Sequence, residues 1–69
     1  MITKVQLFLN MKDESVARPL GVRRLRRAPG SGQKFEIDVD GRAVRARITR
    51  FSRASVLGTM VPDVYAEEI

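Results

Sequence analysis

The chain has 69 residues, and neither cysteine nor histidine is among them. That excludes disulfide staples and the usual zinc ligands, so the fold must be held by packing, backbone pairing or self-association. It also removes the commonest general base and the best thiol nucleophile. A chain of this length has difficulty enclosing a pocket of a few hundred Å3. We therefore expect no enzyme, and no catalytic, cofactor-binding or metal-ligating residues. Aromatics are scarce, being only Phe8, Phe35, Phe51 and Tyr65, which limits any binding mode that depends on base stacking. Long apolar runs are missing as well. Lys4, Gln6 and Asn10 interrupt the most apolar segment, which falls short of the roughly 20 residues a membrane helix needs. Met1 to Asn10 also lacks the basic n-region and cleavage site of a secretory signal. A cytoplasmic protein with no membrane partner is the expectation, and the lack of cysteine agrees with a reducing compartment.

What is present suits a small folded unit. Hydrophobic residues make up 43% and charged residues 30% of the chain, too apolar a balance for disorder. One domain over residues 1–69 is expected, since a chain this short buries only about 60% of its unfolded surface. The charge is segregated. Residues 16–53 hold eleven Arg or Lys against three acids, while Asp63, Glu67 and Glu68 make residues 54–69 acidic. All but one of those eleven are Arg, whose planar fork binds phosphate or carboxylate with two parallel hydrogen bonds. Nucleic acid, an acidic protein face or another anionic surface are the partners this invites.

Periodicity points to strands. Val5, Leu7, Leu9 and Met11 alternate with Lys4, Gln6, Phe8 and Asn10. Phe8 lies on the opposite face, which is therefore not fully wet. Val22 and Leu25 are three apart, so residues 16–28 read as a strand with a bulge or with one apolar residue facing out. A short amphipathic helix over Val22 to Ala28 is the competing reading. Ala28-Pro29-Gly30-Ser31-Gly32 is a loop. The strongest signal is Phe35, Ile37 and Val39, then Asp40-Gly41, then Val44, Ala46 and Ile48. Asp-Gly between two alternating runs specifies a two-residue type I′ hairpin. Pairing about it sets Ile37 opposite Val44, Phe35 opposite Ala46, Glu36 opposite Arg45 and Lys34 opposite Arg47, with Glu36 diagonal to Arg47 and Asp38 diagonal to Arg45. Ser55 to Val61 reads as a further strand. Asp63 to Ile69 reads as a last edge strand or one helical turn.

The fold class expected is mainly β: a small antiparallel sheet or SH3-like barrel of four or five short strands, with the Asp-Gly hairpin at its centre and little helix. The order resembles small SH3-like barrels in style only, without a motif of that family. The core should contain Val5, Leu7, Leu9, Phe35, Ile37, Val44 and Ile48, with Val56 and Val61.

Two motif-like stretches fail on inspection. Glu36, Asp38, Asp40 and Gly41 imitate the start of a calcium loop, but Arg47 stands where the twelfth-position Glu is required. Gly30-Ser31-Gly32 before Lys34 lacks the spacing of a phosphate loop and reads as a connector. The arginines remain. Arg23, Arg24, Arg26 and Arg27 fall within five residues and divide between the two faces of a strand. Arg45 and Arg47 lie on the polar face of the hairpin, with Arg50 and Arg53 beyond it. These eight are the candidate nucleic-acid contacts, expected to form one basic surface across neighbouring strands and to touch mainly phosphate. Phe51, flanked by Arg50 and Arg53, is the aromatic best placed for stacking, although so small a core is expected to bury it. The alternatives are a solvated face neutralised by Glu36, Asp38 and the acidic tail, or a protein-interaction module. That module would use an acidic partner, or pair with a second copy through the edge of its first or last strand.

Overall fold

The computed structural model describes residues 3–52 and 61–69. Five strands and no helix occur among the described residues: β1 Thr3–Asn10, β2 Arg18–Leu25, β3 Lys34–Val39, β4 Arg42–Phe51 and β5 Asp63–Glu68. No helix long and apolar enough to cross a membrane is therefore found there. The strands form one sheet in the order β2-β1-β5-β4-β3. The sheet curls into a half-barrel, and its two outer strands, β2 and β3, approach each other across an open seam.

The hairpin follows its turn chemistry. Asp40 and Gly41 have φ of 54° and 81°, the left-handed values that both central positions of a type I′ turn require. Asp tolerates this region through local hydrogen bonding, and Gly through the lack of a side chain. The register is Lys34 with Arg47, Phe35 with Ala46, Glu36 with Arg45 and Ile37 with Val44, as the alternation specifies.

In β2 the three-residue spacing is resolved in two ways at once. The pairing with β1 slips between Leu7, opposite Gly21, and Phe8, opposite Pro19, so Leu20 is the extra residue of a bulge. Val22 then faces outward at 54% exposure while Leu25 is buried. The helical reading of Val22 to Ala28 is corrected: this segment is strand to Leu25 and irregular beyond it. Pairing with β1 satisfies backbone groups that a short helix lacking an N-cap would leave open.

Two further expectations are corrected. The Asp-Gly hairpin lies at one side of the sheet, with β3 as an outer strand, and β5 occupies the centre. The last strand is thus no edge, because β5 runs parallel to β1 on one side and antiparallel to β4 on the other. The sheet is mixed rather than wholly antiparallel. β1 is interior as well, so neither the first nor the last strand has a free edge for a partner. The strand expected over Ser55 to Val61, including Val56, lies outside the described residues except for Val61, which is half-buried and not in a strand.

The concave face holds the core: Val5, Leu7, Leu9 and Met11 from β1 and its end, Leu25, Val39, Val44, Ala46 and Ile48, and Val64 and Ala66 from β5, with Leu20, Phe35 and Ile37 partly buried against it. Leu25, Val64 and Ala66 were not anticipated. Val64 is fully buried because the centre of a curled sheet is covered from both sides. Burying a Val or Leu side chain contributes about 1.5–3 kcal/mol. The short β5 adds Val64 and Ala66 to that core and supplies the pairing that joins β1 to β4.

Candidate functional site

The seam between β2 and β3 sets the geometry of the most strongly charged region. In a two-residue hairpin the pair flanking the turn, Val39 and Arg42, exchanges hydrogen bonds, and every second pair does likewise. The intervening residues Lys34, Glu36 and Asp38 consequently turn their backbone N–H and C=O groups away from β4, toward the seam. At one end the seam is pinned. Arg18 binds both Glu14 and Asp40, the latter at 2.7 Å. Held first by its hydrogen bond to Glu14 and then by that to Asp40, the Arg18 guanidinium keeps its proton even more firmly than arginine ordinarily does. Arg23 spans the gap, with Nε donating to the Leu20 carbonyl at 3.2 Å and Nη1 to the Asp38 carbonyl at 3.4 Å.

Beyond Arg23 the strands splay into a cleft of about 610 Å3, with Arg24, Leu25, Arg26 and Arg27 on one wall and Gln33, Lys34, Phe35 and Glu36 on the other. It is an open gap between edge strands rather than an enclosed hole in the core. Among the described residues, Arg24, Arg26, Arg27 and Lys34 form no ion pair. Glu36 is the one acid of the lining. Apolar Leu25 and half-buried Phe35 line it between the charged groups.

The glycine loop that joins the two walls is a connector. Gly30 N–H goes to Gln33 Oε1, Gly32 N–H to the Ile48 carbonyl and Gln33 N–H to the Gly30 carbonyl. Three of its amides are thus engaged within the chain and unavailable to an anion. Asp40, from the calcium-like stretch, is taken by Arg18.

The convex face is organised differently. A bulge in β4 between Ile48 and Arg50 leaves Thr49 unpaired, and its hydroxyl donates to the Tyr65 carbonyl at 3.0 Å. The extra residue reverses the alternation, so Arg50, which strict period two would aim at the core with Val44, Ala46 and Ile48, pairs with outward-facing Tyr65. Arg50 lies over the Tyr65 ring at 4.3 Å, and that ring stacks on Phe8 at 5.0 Å and 16°. This ring spacing matches the roughly 4.8 Å between neighbouring strands. The rings therefore stand upright on the sheet and face each other across strands. They present edges to solvent rather than flat platforms, and the column holds β4, β5 and β1 in register.

The sequence-nominated arginines fall into three groups. Arg24, Arg26 and Arg27 meet in the cleft, with Arg23 as the brace beside it. Arg45, Arg47 and Arg50 lie on the convex side of β4, where Arg47 pairs with Glu67 of β5 at 2.7 Å. Arg53 lies outside the described residues. The single basic surface across adjacent strands is corrected, since β1 and β5 separate β2 from β4. The charge pairs expected across the hairpin, Glu36 with Arg47 and Asp38 with Arg45, do not form among the described residues; Arg47 pairs with Glu67 of β5 instead. Phe51, expected to be buried, is 38% exposed near the end of β4. Lys34 and Phe35 as cleft residues were missed. The signal for them was present in the loop over residues 26–33, which brings the chain from the arginine cluster straight back to Lys34.

No family model matches this chain, and no curated protein or solved structure matches it either.

Proposed function

We propose that this chain is a small binding module, acting without catalysis, that holds the phosphate backbone of a nucleic acid at the β2–β3 seam. The observation that carries this reading is the cleft lined by Arg24, Arg26, Arg27 and Lys34, four cations against the single acid Glu36, none of the four in an ion pair among the described residues. Cations held close together in this way repel one another, and a polyanion relieves that repulsion while releasing its condensed counterions. Arg dominates the set, which favours two-pronged contact with phosphate oxygens over a diffuse attraction. Contacts of this kind position a ligand without reading its sequence.

The test is a fluorescence-anisotropy titration of nuclease-treated protein against short single- and double-stranded DNA and RNA at low and physiological salt. Micromolar or tighter binding that weakens steeply with salt and disappears in the Arg24→Glu, Arg26→Glu double variant supports the reading. No binding at low salt removes it.

A second reading is favoured by the outward-turned backbone groups of Lys34, Glu36 and Asp38: an extended, acidic protein segment adding itself as a strand in the seam. Main-chain hydrogen bonds would carry much of that complex, so its affinity would fall with salt less steeply than that of a polyphosphate.

A further inference from the structure

From the lining of the seam cleft we infer that it seats one unpaired nucleotide, with the phosphate held by Arg26, Arg27 and Lys34 and the base lying against Phe35. This rests on the nucleic-acid reading above and narrows it to single-stranded ligands. Four features argue for it together. The cations stand on both walls of a recess, so a flexible strand can lay a phosphate between them, whereas the rigid backbone of a duplex would reach only the rim. Phe35 is the aromatic of that recess, and the stacked faces of Phe8 and Tyr65 are already occupied by each other and by Arg50. Glu36, two residues from Lys34 on the same wall, repels phosphate and so drives it to the Lys34 end, leaving the apolar part of the cleft to the base. The backbone groups of Lys34 and Glu36 that face the seam offer hydrogen-bonding positions to base edges, which are exposed only when the base is unpaired.

The recess is short. Its strand part is only Arg24 and Leu25 of β2 and Lys34 to Glu36 of β3, about 10 Å at the usual strand rise, bounded by the Arg23 brace at one end and the connecting loop at the other. That is little length for strand addition by a peptide and ample for a nucleotide.

The experiment compares the affinity of a labelled single-stranded DNA with that of its duplex at one salt concentration, for the natural protein, Phe35→Leu and Lys34→Glu. Circular dichroism confirms that each variant is folded. The expected result is a single strand bound at least about tenfold tighter than the duplex, with Phe35→Leu lowering only the single-strand affinity by about tenfold, as loss of one base stack does. Adenosine monophosphate displaces the strand at concentrations where inorganic phosphate does not. If Phe35→Leu fails to fold, exposed Lys34→Glu carries the comparison, and it must weaken the single strand more than the duplex. Equal affinity for strand and duplex, unaltered by these changes, overturns the nucleotide seat and leaves phosphate binding standing. Binding of oligoglutamate with no binding of either nucleic acid overturns both.

Discussion

Gly41 and Asp40 share the left-handed backbone of the turn, yet they tolerate change differently. A Cβ added at Gly41 meets nothing within 4 Å, so Gly41→Ala suffers backbone strain alone. We expect a loss of about 1 kcal/mol, read as a melting temperature lower by about 4–8 °C in a domain of this size. Replacing Asp40 with Gly keeps the turn and removes one of the two carboxylates that hold Arg18. The turn was legible in the sequence because every requirement sits within two residues. Arg50 was not, since the inserted Thr49 that reverses its direction looks like any β-branched strand residue. Arg50→Ala should lower stability by about 0.5–1 kcal/mol through loss of the Tyr65 contact and leave oligonucleotide affinity within about twofold. Thermal melting and anisotropy on the same samples check both halves.

At the scale of elements, β5 decides whether the sheet is one object. Removing residues 63–69 leaves the β1–β2 hairpin and the β3–β4 hairpin without the strand that joins them, and isolated hairpins are marginal at best in water. The truncated chain is expected to lose its amide dispersion by NMR and its cooperative melting, whereas an edge strand of this length would be dispensable. Val64→Asp tests the same point without truncation, because it places an unpaired charge at a fully buried position. Hairpin partners were readable because they are close in sequence and linked by a turn of known type. The pairing of β1 with β5 joins residues more than fifty apart in parallel, and nothing in Asp63 to Glu68 names its partner. The same gap hid the seam: with β5 misplaced, β2 and β4 looked adjacent, and the arginines appeared to share one surface.

For the whole molecule, a net charge of +5 conceals an arrangement in which Glu67 neutralises part of one side while the seam stays cationic. With Arg26, Arg27 and Lys34 on one phosphate and Arg24 within reach of a neighbouring one, log affinity for a single strand is expected to fall with log salt at a slope of about −1 to −1.5. Arg26→Gln should flatten that slope and weaken binding without regard to sequence. A solvated face with no ligand predicts no binding to an oligonucleotide from which a slope could be drawn, and a seam that takes only a protein strand predicts the same. The most direct test is a 15N-NMR titration of the labelled protein with a short single-stranded oligonucleotide, which reports every amide at once. We predict that the largest shifts fall on Arg24 to Arg27 and Gln33 to Glu36, while amides of β5 and the convex side of β4 change little. Shifts centred on Phe8, Tyr65 and Arg50, or none at low salt, would contradict the seam as the binding site.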